Sequence, residues 1–362
     1  SRWVFIISAP SALLSSLPSY QSNVVLGRLD VFPTPLGLRA IEANAESPGG
    51  AEECDTIEGL FGGAFPDLVS GTSSRRRVDG YLDAILGAYA EQALEKGVVP
   101  SPEPRLVLLE WPEDVASHGD RYDIFLNRAR ARGVDASIAS PDEVGCGGGF
   151  GVVDGAPVDV FYRRFLLHEL PENHPEGYDL IRRLEGSSSA VVNPARSKCV
   201  GSKQLLALVS DPSYESLFPG DLLDDLRYVR GFTPATYSLL HPEALPFSRA
   251  DASLSGKDYV LKAGNGASST AVWVGSDHSL SSWKGLMERA WGGDYVLQET
   301  VPLPEKRVGL FSGGEREASM FYLLSPYMVD GSFAGLYARA TENNLLSSDA
   351  GGLATILPVY ER

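Results

Sequence analysis

The stretch Gly27-Arg28-Leu29-Asp30-Val31-Phe32, a turn over Pro33 to Gly37, and the run Leu38 to Pro48 constrain the fold more than any other part of this chain. The alternation fits two antiparallel strands. With a period of two, Arg28, Asp30 and Phe32 share one face of the first strand, and Leu38, Ala40, Glu42 and Asn44 share one face of the second. A turn centred near Leu36 sets Asp30 opposite Glu42 and Arg28 opposite Asn44. Like charges directly opposed on a hairpin repel, so the pair is costly unless a cation lies between them. Two carboxylates and an amide, with an arginine alongside, suit Mg²⁺ holding the phosphates of a nucleotide.

The 362 residues allow two or three domains. A formal net charge of −16 denies nucleic acid or an anionic membrane the basic footprint it needs. The compact basic run Arg75-Arg76-Arg77 follows Gly71 to Ser74 and reads as a solvated loop. Cys54, Cys146 and Cys199 lie far apart with no C-x-x-C pair, so neither a disulfide framework nor a zinc site is expected, and a reducing cytoplasmic setting is. No apolar run approaches the ~20 residues that span a bilayer. Trp3 to Ile7 reads as a buried strand. His118, His168, His174, His241 and His278 match no motif and are given no role.

An amphipathic helix is expected from about Val78 to Lys96, stopped by Gly97 and by Pro100, Pro102 and Pro104. A βαβ unit follows: a strand at Arg105 to Glu110, a helix at Asp120 to Arg132, a strand at Val134 to Ala139, and a further strand at Val158 to Arg163. Gly145 to Phe150 does not satisfy G-x-G-x-x-G and reads as a flexible surface loop. Arg163 or Arg164 could reach an acidic substrate, and a surface ion pair is the plainer reading. From Ala190 onward the pattern gives a strand at Val191 to Pro194 and a helix at Ser202 to Asp211. Strands follow at Tyr259 to Lys262 and Ala271 to Gly275, a helix at Ser281 to Ala290 and a strand at Tyr295 to Thr300. Two more strands lie within Met320 to Ala340 about a turn at Asp330-Gly331.

Tyr259 to Lys262 delivers a lysine just before Gly264-Asn265-Gly266-Ala267-Ser268-Ser269-Thr270. Glycines let backbone amides approach phosphate oxygens, and the lysine adds a point charge. A hairpin with a loose tip and a surface lysine fits the same residues. Tyr295-Val296-Leu297-Gln298-Glu299 is a buried-looking strand ending in two polar residues. Such an end can offer backbone groups to an adenine edge and a carboxylate to a ribose, or it can simply run out into solvent.

Taken together, Asp30…Glu42-x-Asn44, the Lys262 strand with its glycine loop, and the V-L-Q-E strand resemble the ATP-grasp superfamily of carboxylate–amine ligases. Glu42-Ala43-Asn44-Ala45-Glu46-Ser47-Pro48 is similar to the E-x-N-A-x-T-P of glutathionylspermidine synthase synthetase domains. Gly335 to Arg339, Asn344 and Gly351-Gly352 look like the arginine/asparagine strand pair that ordinarily precedes the metal strands. Asn193-Pro194, Lys203 and Phe232 to Thr236 look like the lead-in to the ATP-binding half. Here the metal strands come first, as in a circular permutation.

The resemblance implies an α/β (α+β) chain with a circularly permuted ATP-grasp fold and a Rossmann-like pre-ATP-grasp domain. Residues 1–100 would carry the metal strands and join the ATP-grasp domain of residues 197–362, with residues 101–196 as the pre-ATP-grasp-like domain. Asp30, Glu42 and Asn44 would bind Mg²⁺, as two ions bridging the phosphates of ATP. Lys203, with Lys198 as its alternative, and Lys262 would contact phosphates, beside Gly264, Gly266, Ser268 and Ser269. Gln298 and Glu299 would line the adenine and ribose site. Arg28 and Arg339 would steady the transferring phosphoryl group or a substrate carboxylate, which a guanidinium fork suits. The reaction implied joins a small-molecule carboxylate to an amine of the amino acid, peptide or polyamine class through an acylphosphate, releasing ADP and phosphate. A phosphotransferase acting on another acceptor and a non-catalytic nucleotide-binding protein are the rival readings. The two chain ends are expected to meet in one domain.

Overall fold

The computed structural model describes residues 11–265, 271–310, 316–343 and 354–361. The strand expected at Trp3 to Ile7 lies outside them.

Strand β1 (Leu26–Thr34) and β2 (Gly37–Asn44) form the antiparallel hairpin, with Arg28 opposite Asn44 and Asp30 opposite Glu42. How that register arises differs from the expectation. Thr34 pairs with Gly37, so the turn is the two residues Pro35-Leu36, and Val31 pairs with Ala40. Continued unchanged, this register would set Asp30 against Ile41. A bulge between Asp30 and Val31 inserts Ile41 as an extra residue and brings Glu42 back opposite Asp30.

A parallel sheet follows, made of β3 (Arg105–Leu109), β4 (Asp135–Ala139), β8 (Val160–Arg163) and β9 (Ala190–Val192) in the order β4-β3-β8-β9. Its inner strands β3 and β8, and β9 beside them, are almost wholly buried, as packed helices require of a parallel sheet. The helix before β4 runs Pro112–Ala131, longer than expected, with proline in its first turn and a kink at His118. Gly145 to Phe150 is no flexible loop. It belongs to a small antiparallel sheet of β5 (Gly145–Gly147), β6 (Phe150–Val153) and β7 (Ala156–Pro157), turned at Gly148-Gly149, where both glycines take positive φ.

A fourth sheet, antiparallel, has the order β10-β13-β11-β12, from β10 (Thr236–Ser238), β11 (Tyr259–Ala263), β12 (Val272–Val274) and β13 (Tyr295–Glu299). The chain then returns to the first sheet through β14 (Glu305–Leu310), β15 (Arg316–Val329), β16 (Ser332–Thr341) and β17 (Ala354–Leu357). β15 and β16 join at Asp330-Gly331, both with positive φ, the conformation of a two-residue hairpin turn that matches strand twist. β1 pairs with β15, giving the order β17-β16-β15-β1-β2 with β14 also on β15. The two ends of the chain therefore meet in one sheet.

The stretch after the hairpin folds as helix Ala51–Ala64 followed by helix Arg77–Glu95, the second at the place expected from the sequence. Their apolar faces share one core with both large sheets, through Ala51, Cys54, Tyr81, Ile85, Leu106, Phe125, Tyr162, Tyr327 and Tyr337 among others. The three arginines before the second helix are not all solvated. Arg75 and Arg76 are exposed, but Arg77 is buried, pairing with Glu58 at 2.6 Å and Asp55 at 3.1 Å and donating to the Leu336 carbonyl. Arg163 and Arg164 are likewise buried instead of surface-paired: Arg163 reaches Glu46 at 3.3 Å, and Arg164 reaches Glu52 at 3.2 Å. Buried charges demand such partners, since an unpaired one costs several kcal/mol.

Asn193, at the end of β9, ties the parallel sheet to the hairpin. Its Oδ1 accepts from the amides of Val25 and Leu26, both at 2.9 Å. Its Nδ2 donates to the carbonyls of Leu26 at 2.7 Å, Ala45 at 2.9 Å and Glu46 at 3.2 Å. Two residues on, the Ala195 amide donates to one oxygen of Glu185 at 2.6 Å, while the other Glu185 oxygen is buried without a partner. Burial pushes this carboxyl up to about 7. The folded chain thus keeps a proton that the unfolded chain releases near pH 4.5, so stability is lost as pH rises from there to about 7. Glu185→Gln should remove that loss. Thermal denaturation should find the variant more stable than the parent above pH 7, with a flatter pH profile between 5 and 8.

Candidate active site

The rungs of the first sheet set a polar row on one face. Asn44 and Glu42 lie beside Arg28 and Asp30, Arg28 beside Tyr327, Tyr337 beside Ser325, and Arg339 beside Leu323. Arg28 donates through Nε to Asp30 Oδ1 at 3.1 Å and through Nη1 to the Gly49 carbonyl at 2.9 Å. Tyr327 donates its hydroxyl to the same carbonyl at 2.8 Å. The guanidinium groups of Arg28 and Arg339 both stand over the Tyr337 ring, 5.2 and 5.7 Å from its centre, so the two arginines singled out in the sequence converge on one aromatic side chain. Gly50 permits this packing. Its φ is +95°, and a Cβ there would lie 2.9 Å from the Tyr327 hydroxyl.

Two lysines approach the hairpin from outside the first sheet. Lys203, at the N-terminus of helix Gln204–Ser210, pairs with Glu42 Oε1 at 2.9 Å. Lys262, on β11, donates to the carbonyl of the bulged residue Ile41 at 3.0 Å and to Gln298 Oε1 at 2.8 Å. Lys198 is elsewhere, in a buried pair with Glu46 at 2.8 Å. Burial, with Lys203 nearby, drives the Lys262 ammonium down to about 8 against the opposing pull of Glu42 and Asp30. Each of the facing carboxylates thus has its own cation: Arg28 for Asp30, Lys203 for Glu42.

The structure gathers Arg28, Asp30, Glu42, Lys203, Lys262 and Gln298 through direct contacts, with Asn44 on the Arg28 rung and Arg339 at Tyr337. Gly266, Ser268, Ser269, Asn344, Gly351 and Gly352 lie outside the described residues. Two details correct the sequence reading. The Gln298 side chain is buried and spent on Lys262 and on Thr236, whose hydroxyl receives its amide at 3.0 Å. The amides of Glu299 and Thr300 donate to the carbonyls of Ala235 and Asp258, so neither is left for an adenine edge. The Glu299 residue itself is exposed.

The Gly264 amide is also used, donating to the Asp294 carbonyl at 2.8 Å, while the Gly264 carbonyl accepts from the Lys203 amide at 2.9 Å. Its lack of a side chain answers packing instead of phosphate access, since a Cβ would lie 2.1 Å from Asp294 Oδ1. Asp294, which the sequence did not single out, also accepts from Gln204 at 2.9 Å and Asn265 at 2.8 Å. Gly264→Ala should therefore displace Asp294 and loosen the seat of Lys203. The expected cost is about 2 kcal/mol, read as a lower midpoint in urea denaturation.

No protein-family model matches the sequence, and no curated protein matches it. Among solved structures, a glutathione synthetase-like effector from Globodera pallida in its apo form aligns at 11% identity, covering 94% of this chain and 81% of that one, with a TM-score of 0.54. A putative gamma-glutamylcysteine synthetase from Methylobacillus flagellatus aligns at 13% identity over 96% of this chain and 82% of its own, with a TM-score of 0.49. D-alanyl-alanine synthetase A from Vibrio cholerae aligns at 11% identity over 72% and 89%, with a TM-score of 0.36. Only the first is close enough in shape to bear on the fold. On that likeness and the sheet order above, the chain has an ATP-grasp-like fold.

Proposed function

We propose that this protein is an ATP-dependent ligase that joins a carboxylate to an amine. One observation carries the reading: beside the facing carboxylates Asp30 and Glu42, Lys203 reaches Glu42 and Lys262 reaches the adjoining Ile41 carbonyl, both from outside that sheet. Anionic ligands with a divalent cation need this alternation of charge, and neither a surface salt bridge nor a core requires it.

The residues present fit Mg²⁺. Among the described residues no group of three His, Cys, Asp or Glu side chains could hold an ion by itself. Asp30 and Glu42 therefore need help from Asn44, whose Nδ2 position is buried without a partner and becomes an oxygen on an amide flip, and from phosphate oxygens. Mg²⁺ is bound in that way, by one or two carboxylates plus substrate phosphates. Two such ions, when bound, would supply neutralisation of phosphate charge.

Lys203 and Lys262 hold the polyphosphate. Gln298 fixes the Lys262 ammonium, and the carboxylate of Glu299, an exposed residue, would take the ribose. Arg28 and Arg339, stacked on Tyr337, orient the carboxylate to be activated or steady the transferred phosphoryl group. The chain's work is to position the reactants and exclude water, so that an acylphosphate meets the amine before it hydrolyses. Residues 1–100 and 197–362 form the nucleotide unit on this reading, and residues 101–196 its companion. The acceptor amine belongs to the amino acid, peptide or polyamine class.

Screening ADP release over amino acids, short peptides and polyamines with Mg²⁺ should find amine-dependent turnover, and hydroxylamine should trap the activated carboxylate as a hydroxamate. Turnover without any trapped product would favour phosphoryl transfer to another acceptor. Glu42→Gln should lower ADP release by roughly a hundredfold. Nucleotide affinity should also depend on pH in a set direction. Lys262 is charged below about 8, so binding of a polyphosphate should weaken as pH rises above that value, measured by calorimetric titration from pH 7 to 9.5.

A further inference from the structure

Glu42 carries two roles that conflict. As a metal ligand it must offer oxygens to a cation, yet one of them is held by Lys203 at 2.9 Å, with the lysine side chain almost wholly buried and Glu42 about a quarter exposed. The main chain of Lys203 is held in place, its amide donating to the Gly264 carbonyl, so only the side chain is left to move. Its neighbour Ser202 is also placed against that carbonyl, at 3.4 Å. The facing carboxylate is in the same state, with Arg28 on Asp30. We propose that Lys203 is a counter-ion latch on Glu42, so that the protein takes up a divalent cation only together with a polyphosphate that draws the ammonium away. The inference rests on the nucleotide site described above but adds an order of assembly to it.

The physical reason is direct. An ammonium ~3 Å from a carboxylate oxygen repels an arriving divalent ion and occupies the lone pairs it needs, in a partly buried setting where water screens little. Phosphate oxygens offer Lys203 a second acceptor of the same charge type, so the exchange costs little when nucleotide is present. Metal and nucleotide are then positively coupled through one side chain, and the coupling is reciprocal. A lysine that served only phosphate would leave metal affinity in the absence of nucleotide untouched.

Binding of Mn²⁺ alone to the full chain, followed by electron paramagnetic resonance of the free ion, separates the two. Lys203→Gln should bind Mn²⁺ alone at least about tenfold more tightly than the parent. Lys203→Arg, which keeps the cation, should behave as the parent does, and the double variant with Glu42→Gln should lose the gain. A Lys203→Gln protein with parental circular dichroism and unchanged or weaker Mn²⁺ affinity would overturn the latch. So would a parent protein that binds Mn²⁺ alone as tightly as it does with a non-hydrolysable ATP analogue, a comparison that needs no variant to fold. If the analogue fails to bind the parent at all, the nucleotide site itself is refuted, a result distinct from the metal-alone comparison.

Discussion

Asp30 and Glu42 oppose each other on one rung of β1–β2, and no antiparallel hairpin holds two like charges there without compensation. Much of the molecule's architecture can be traced to how that repulsion is relieved. Arg28 answers Asp30 from the same strand. Glu42 takes its partner, Lys203, from the start of a helix far along the chain. Lys262 adds a third cation at the Ile41 carbonyl. The sheet that carries Lys262 and the helix that carries Lys203 are thereby bound to the hairpin by charge, where an apolar contact would leave no polar cleft.

Holding the hairpin from its other end falls to buried groups, one neutral and one charged. Asn193 saturates its amide on the backbones of both strands' outer ends. Glu46, just past β2, accepts from Arg163, Lys198 and the Leu167 amide. Burial alone would raise the Glu46 carboxyl, and its two cationic partners outweigh that and hold it below the ordinary carboxylate range. One end of the hairpin is fixed by fully satisfied hydrogen bonds. The other meets the lysines through contacts that a stronger anion or cation could exchange. Rigidity at the base and exchangeable charge at the middle are what a binding site on a strand pair requires.

The sequence made the local part of this legible. Alternation of Arg28, Asp30 and Phe32 against Glu42 and Asn44 located the strands and the opposing pair, and Asp330-Gly331 located the second hairpin, because period and turn chemistry are read within a few residues. The Ile41 bulge was invisible, since it shifts the register by one residue without breaking the pattern. Arg77, Arg163 and Arg164 were misjudged as surface groups because burial of an arginine depends on where Glu58, Glu46 and Glu52 end up, and each acidic partner is placed by tertiary packing. Gly264 shows the same limit. A glycine before a polar loop suggests phosphate, while the structure shows Asp294 occupying the space a side chain would need.

Gln298 settles how the two kinds of information combine. Its position at the end of an apolar strand suggested a part in the proposed site, while its side chain faces Lys262 and Thr236 and does not stand open to a ligand. Removing a buried lysine's amide partner would leave an ammonium with fewer acceptors in a dry setting, where desolvation already lowers its proton affinity. On the proposed function, Gln298 would act on the anion only through Lys262. The same logic explains why the cations outnumber the carboxylates at the centre of a chain whose net charge is −16. Arg28, Lys203 and Lys262 against Asp30 and Glu42 leave one more cation than carboxylates in this cluster, the balance that the proposed polyphosphate would need.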